Sequence, residues 1–181
     1  MNISVCRLTF RLQDDFLRAM DIASEKIVTA AVGYLELGMP EDAANELECL
    51  LPEEKNTTEL LRLRASIYHE AETWALLETV AEELTRREPQ EIGWWVNWAF
   101  ATRRTTDIPA ARKILLAAEK MHAESAIIHF NLGCYACQLG ELDEANRRIS
   151  NAINFDANYR SIAAADSDLE PIGNKNSAGL S

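Results

Sequence analysis

The chain has little glycine, proline and positive charge. Seven glycines and five prolines in 181 residues are too few for a linker-like, collagen-like or disordered chain. Only 18 lysines and arginines stand against 29 acidic residues, which gives a formal net charge of −11. This balance argues against a nucleic-acid binder, which needs a basic face to displace counterions from phosphate. It argues equally against docking on an anionic membrane surface.

Long apolar runs are also missing. No stretch reaches the roughly 18 uninterrupted apolar residues that mark a transmembrane helix, and Arg7 and Arg11 interrupt what would have to be the apolar part of a secretory signal. We therefore expect a cytoplasmic protein. In a reducing cytoplasm, disulfides are not expected among the four cysteines, Cys6, Cys49, Cys134 and Cys137. What the chain does have is 48% hydrophobic residues, enough for a folded core.

Similar residues recur at an interval of 34. Within each interval the apolar residues follow the 3–4 spacing of amphipathic helices, and Gly38 and Gly140 stand where a helix should end in a left-handed residue. Each interval therefore predicts a helix, a turn and a second helix, and no strand pattern is present. Small residues mark the same place in four successive intervals: Ala31, Ala65, Ala99 and Gly133. The units can be laid out without gaps as residues 24–57, 58–91, 92–125 and 126–159.

These units resemble the tetratricopeptide repeats, a family with a 34-residue period. Thr106 and Ala157 depart from the pattern, since glycine and proline are usual at those places. The resemblance implies an all-α fold, a right-handed α-solenoid of helix–turn–helix repeats with a short C-terminal capping helix. The fourth unit carries the motif most fully, in Asn131-Leu132-Gly133, Gly140, Asp143-Glu144-Ala145, Ala152 and Phe155-Asp156. We expect a leader over residues 1–13, one solenoid domain over 14–172 with the capping helix at about 160–168, and a disordered tail over 173–181.

The motifs of catalysis are absent from the sequence. There is no Gly-rich phosphate loop, no GxSxG and no HExxH, so we predict no enzyme and no cofactor. Cys134 and Cys137 have the C-x-x-C spacing, but they fall inside a predicted helix rather than at its N-terminus, and no second such pair completes a zinc site. We expect buried or half-buried thiols, a core histidine at His129 and no metal. Trp94 falls one step off the core register and is a candidate surface contact.

The family resemblance places ligands on the concave face, which the first helix of each unit lines. Exposed apolar patches mark contact sites, so we expect Phe100 and Phe130 to take apolar side chains of a partner. Arginines of the same face are expected to meet its carboxylates; the alternative is that Arg103 and Arg104 pair with acidic residues of the second unit. The candidate partner-binding residues are Arg62, His69, Val96, Phe100, Arg103, Arg104, Ile127, Phe130, Cys134 and Gln138.

These observations predict a protein–protein interaction module, a scaffold or adaptor that binds a peptide or protein segment in the groove of the array. Two alternatives stay open. One is a small acidic chaperone for a secreted or unassembled client, which would protect an extended segment from protease. The other is a self-associating protein, a homodimer for example, whose mass would depend on its concentration.

Overall fold

The computed structural model describes residues 20–52 and 54–172. The expectations for the leader and the tail lie outside these residues. The regular elements of the described part are all helical. None of the described helices is long and apolar enough to cross a membrane. The chain divides between Pro89 and Gln90 into two compact units, here called the N-terminal unit and the C-terminal unit.

The described residues of the N-terminal unit form two helical hairpins. Its first helix begins where the Asp21 carboxylate accepts hydrogen bonds from the backbone N–H groups of Ala23 and Ser24, at 2.7 and 3.0 Å, which satisfies donors that no helical carbonyl can reach. Pro40 stands in the first turn of the second helix, where its missing N–H costs nothing. The helices are α1 (Ile22–Glu36), α2 (Pro40–Leu47), α3 (Thr58–Glu70) and α4 (Trp74–Arg87).

The C-terminal unit contains two further hairpins and a shorter final helix. The Asp107 carboxylate caps the second of its helices by accepting from the Ala110 N–H at 2.7 Å. The final helix packs against both helices of the preceding hairpin. The elements are α5 (Ile92–Thr105), α6 (Ile108–Glu119), α7 (Ala126–Gln138), α8 (Leu142–Phe155), α9 (Tyr159–Ala165) and a 3-10 turn (Ser167–Leu169).

Each unit has its own apolar core. In the N-terminal unit the core lies between α1, α2 and α3 and includes Val28, Ala31, Ala43, Leu47, Leu60 and Ile67. In the C-terminal unit it lies between α7, α8 and the residues that follow them, and includes Phe130, Cys134, Ala145, Ile149, Ala152, Tyr159, Leu169 and Ile172. A single hairpin cannot bury its apolar stripe, so packing against the next element supplies most of the stability.

The hairpins repeat along the chain. The second helices begin at Pro40, Trp74, Ile108 and Leu142, each 34 residues after the one before. The turns after α1 and α7 contain Gly38 and Gly140 with φ of 70° and 78°, so the predicted left-handed helix ends are confirmed. The turn after α3 places Glu72 in the same region, at φ 53°. The predicted all-α fold of helix–turn–helix repeats is therefore confirmed.

Candidate functional site

The ten candidate residues lie on the first helices of three hairpins. In the N-terminal unit, α3 carries Arg62 and His69. In the C-terminal unit, α5 carries Val96, Phe100, Arg103 and Arg104, and α7 carries Ile127, Phe130, Cys134 and Gln138.

The two N-terminal candidates interact with side chains of their own unit. The Arg62 guanidinium donates to both carboxylate oxygens of Glu88, the residue that follows α4, with an Nε–Oε2 distance of 3.1 Å. The His69 ring lies edge-on to Trp74, with centroids 5.9 Å apart. In this structure the carboxylate that Arg62 meets is therefore that of Glu88 in its own unit.

Four apolar candidates of the C-terminal unit, Val96, Phe100, Phe130 and Cys134, are buried, and Ile127 is partly buried. Phe130 and Cys134 have no exposed surface, and Phe100 is only 6% exposed. The expectation that Phe100 and Phe130 form an exposed patch is therefore wrong. The Arg104 guanidinium lies 3.4 Å from the centroid of the Phe100 ring. Trp94 is 6% exposed, so it is not the surface contact that its position in the register indicated.

The chain's own C-terminal residues cover this face of α7. The Tyr159 ring packs on Phe130, with centroids 5.1 Å apart. Leu169 and Ile172 are 5% and 6% exposed and belong to the same core as Cys134. We call residues 166–172 the C-terminal segment, and the surface of α5 and α7 that holds it the C-terminal face. Phe130 and Cys134 are buried because α9 and this segment pack on them.

An ion pair attaches the C-terminal segment to α5. The Arg103 guanidinium donates to the Asp168 carboxylate at 3.0 Å, and the two side chains are only 10% and 6% exposed. Gln138 of α7 donates from Nε2 to the backbone oxygen of Asp168 at 3.1 Å. Arg103 also lies over the Tyr135 ring, 5.7 Å from its centroid. Three candidate residues, Arg103, Cys134 and Gln138, thus meet at one site, and its occupant is part of the same chain.

The second acidic residue of the segment is buried without such a partner. Asp166 is 6% exposed, and its carboxylate accepts the backbone N–H of Asp168 at 2.9 Å. Burial is the main cause that raises the pKa of the Asp166 carboxyl above its ordinary range, and the negative charge of Asp168 adds to it. At Asp166 burial thus outweighs the favourable charge of Arg103, whereas Asp168 pairs with Arg103 directly.

The two cysteines of α7 lie beneath the segment. Cys134 and Cys137 are free and buried, as the sequence predicted. Burial raises the pKa of both thiols, and a hydrogen bond from the Ile172 backbone partly offsets this at Cys137. A thiol is reactive as the thiolate, so both sulfurs pack as small apolar groups. The described residues bring together no group of three or more side chains that could hold a metal ion.

His129 lies in a buried polar network on the side of α7 that faces α8. It is 4% exposed, which confirms the predicted core histidine. Its Nε2 lies 2.8 Å from the Ala123 carbonyl oxygen, and its Nδ1 lies 3.2 Å from the Arg148 guanidinium. This geometry assigns the proton to Nε2, since Arg148 can only donate. Arg148 also pairs with Glu119 and Glu144, so the network joins α6, α7 and α8.

The sequence analysis missed the residues that occupy the site. Asp168, Leu169 and Ile172 follow the last repeat, where the resemblance indicated only a cover for the end of the array. One local signal was present, because Leu169 and Ile172 have the spacing of one helical face and Asp168 stands directly before them. This spacing indicates burial, but it does not indicate which surface is covered.

Comparison with known proteins supports the fold. No family model and no curated protein matches the chain. Among solved structures, the chain has the fold of TTC0263, a thermophilic TPR protein in Thermus thermophilus, with a TM-score of 0.58 and 20% identity over 82% of this chain and 80% of that one. The chain thus has an all-α fold of helical repeats like that of this TPR protein.

Solved structures of MamA also have this fold. MamA from residue 41 to its end, from Desulfovibrio magneticus RS-1, has a TM-score of 0.66 and 16% identity over 88% of this chain and 94% of that one. MamA from MSR-1 has a TM-score of 0.65 and 14% identity over 81% and 82%. At these identities the likeness concerns the fold alone.

Proposed function

We propose that this chain is a non-enzymatic protein–protein interaction module that binds a peptide or protein segment on the first-helix faces of its repeats. It acts as a scaffold or adaptor, and protein is the class of partner it takes. One observation carries the proposal. The C-terminal face already holds a short protein segment through a buried ion pair, a hydrogen bond to the main chain and two apolar side chains.

These contacts have the character of peptide recognition. A side-chain amide that binds a backbone carbonyl oxygen, as Gln138 does, recognises peptide of any sequence, whereas the ion pair and the apolar contacts select the side chains. The two thiols beneath the segment are not activated as nucleophiles, because burial raises the pKa of both.

Site-specific photo-crosslinking in cells of the source organism tests this proposal. A photoreactive residue is placed at Glu70 or Gln138, which are exposed at equivalent positions of α3 and α7. The matched controls are Thr79 and Arg147, exposed at equivalent positions of the second helices α4 and α8. We expect a defined protein adduct from the first-helix positions.

Other patterns of cross-linking would contradict or replace the proposed function. Adducts from all four positions, or from none, contradict binding on the first-helix faces. Adducts that contain only a second copy of the chain replace the proposed adaptor with self-association, and sedimentation at several protein concentrations then gives the stoichiometry.

A further inference from the structure

The C-terminal segment is positioned on its face as a separate piece of chain. Asp166 has φ −90° and ψ 116°, so the backbone leaves α9 in an extended conformation before the 3-10 turn. The segment is seven residues long, and the side chains that hold it are those of Arg103, Gln138 and the buried cysteines of α7. Local opening of a short segment requires less free energy than unfolding of the core helices on which the segment rests.

We propose that residues 166–172 are an internal ligand, and that the C-terminal face is a site for a partner peptide of the same chemistry. That partner peptide carries an acidic residue followed directly by an aliphatic residue, with a second aliphatic residue three positions further along. The segment provides this pattern as Asp168, Leu169 and Ile172. The inference rests on the proposed function. It adds the chemical class of the partner peptide and names residues 166–172 as the competitor of that peptide.

The buried arginine defines the acidic position. Arg103 is 10% exposed and pairs with Asp168. An arginine cannot give up its proton in a protein, and a buried charge without a partner is strongly destabilising. When the segment leaves, Arg103 loses its carboxylate partner, and a partner peptide that covers Arg103 again buries this charge unpaired, at a cost in stability, unless it supplies another carboxylate. A partner without an acidic residue at this position would leave that cost in place.

The apolar floor of the site defines the two aliphatic positions. Leu169 and Ile172 pack into the core that contains Cys134 and Cys137, and both cysteines are at most 3% exposed with the segment in place. Removal of the segment would therefore uncover apolar surface on α7. A partner that covers this surface must supply apolar side chains of similar size and spacing.

Two of the contacts involve main-chain atoms of the segment. Gln138 binds the Asp168 carbonyl oxygen, and the Ile172 backbone bonds to the Cys137 thiol. Any peptide in the same path can reproduce both contacts, since its backbone is identical. Because the segment is attached to the chain, it competes at an effective concentration on the order of millimolar. The apparent affinity for an external peptide is therefore the intrinsic affinity multiplied by the fraction of molecules in which the segment is undocked.

The test uses the full-length chain and a fluorescent peptide with the sequence of residues 165–172. Fluorescence anisotropy compares the wild type with the variant Leu169→Ser/Ile172→Ser, in which the internal segment loses its apolar contacts. We expect the peptide to bind the variant at least tenfold more tightly than the wild type. Addition of Arg103→Gln to the variant should reduce this binding at least tenfold, whereas addition of Arg147→Gln, at an exposed arginine of α8, should not.

A second measurement covers the case in which the double variant does not fold. Hydrogen exchange of the wild-type chain is followed by mass spectrometry at millimolar unlabelled peptide. Competition for one site should speed exchange in residues 167–172 and leave α8 unchanged. A peptide with the same composition in scrambled order should leave both unchanged.

Several results would overturn the inference. They are equal affinity of a folded double variant and the wild type, equal binding of the scrambled peptide, unchanged exchange in residues 167–172 at saturating peptide, or a dimer in which two copies exchange their segments. Its failure is distinguishable from that of the proposed function. A partner cross-linked at Gln138 through a segment without this pattern overturns only the inference, whereas peptide binding with no cross-linked partner counts only against the proposed function.

Discussion

At the scale of single residues, the carboxylates of Asp166 and Asp168 have opposite effects on the docking of the C-terminal segment. Both are buried, but Asp168 has the Arg103 guanidinium at 3.0 Å. Asp166 accepts one backbone N–H, and its Oδ2 has no hydrogen-bond partner. A buried charge is costly unless it is paired. The charge of Asp166 therefore opposes the docking of the C-terminal segment, and the charge of Asp168 favours it.

This contrast predicts opposite effects of the same substitution. Asp166→Asn retains an acceptor for the Asp168 N–H and removes the charge, so it should stabilise the docked segment by about 1 kcal/mol and slow its hydrogen exchange roughly fivefold. Asp168→Asn leaves Arg103 buried without its carboxylate and should destabilise docking by about 3 kcal/mol. Hydrogen exchange of residues 167–172 at pH 7 measures both. Faster exchange in the Asp166→Asn variant would contradict this account of the site.

The pH dependence of docking follows from the same carboxyl. The pKa of Asp166 is raised in the folded chain, so the folded state holds its proton more tightly than the open segment does. Docking should therefore strengthen as the pH falls through this raised pKa. Asp166→Asn should remove this strengthening, because its side chain does not titrate.

At the scale of elements, the first hairpin contains two glycines with opposite roles. Gly33 lies inside α1 and Gly38 follows its end, and in both cases an added Cβ would meet no atom within 4 Å. The difference is the backbone, because Gly38 has φ 70° and Gly33 is helical. Substitution at either position therefore tests backbone preference with no change in packing.

We predict that Gly33→Ala stabilises the chain and Gly38→Ala destabilises it. Alanine in a helix interior is more favourable than glycine by about 1 kcal/mol, whereas a left-handed residue with a Cβ costs about 1–2 kcal/mol. Urea unfolding followed by circular dichroism gives both values. The two variants are each other's control, since they add the same methyl group within five residues of each other. A change of the same sign in both would exclude the backbone explanation.

The helical hairpins were predictable because their causes are local. Amphipathic spacing, the glycines at helix ends and the 34-residue interval act within a few turns of chain. The turn at Thr106 has a conformation that the repeat pattern does not predict. Thr106 occupies the place of Gly38 and Gly140, but its φ is −124°, so this turn follows a different path from the others. A repeat pattern predicts that a turn is present and leaves its conformation to the residues of that turn.

At the scale of the whole molecule, the predictions for the site were less successful than those for the fold. The sequence predicted that Arg103, Phe130 and Gln138 belong to one surface, and in the structure all three contact the last described residues of the same unit. The exposure of Phe130 was predicted wrongly, because it depends on Tyr159, which is 29 positions away. A contact between a repeat and a non-repeating segment has no period, so pattern analysis does not detect it.

The strongly acidic composition determines how the whole chain should respond to acid. Arginine and lysine side chains lower the pKa of several carboxyls. The strongest case is Glu144, whose pKa is lowered to about 2 by hydrogen bonds from Arg147 and then Arg148. Lys55 acts in the same direction at Glu48, and Arg87 at Glu83. In an unfolded chain a glutamate titrates near 4.3, so the unfolded state takes up protons first as the pH falls.

Stability should therefore be fully present above about pH 4.5 and decline as the pH falls towards about 2, through the folded pKa of Glu144. Glu144→Gln removes the strongest of these groups and should make the acid decline shallower. Asp143→Asn, at the neighbouring exposed acidic residue, removes the same charge and should leave the decline unchanged. Urea midpoints at pH 7, 4, 3 and 2.5 measure this dependence. Superimposable profiles for Glu144→Gln and the wild type would show that the hydrogen bonds from Arg147 and Arg148 do not set the acid limit, and the decline would then reflect the summed charge of the chain.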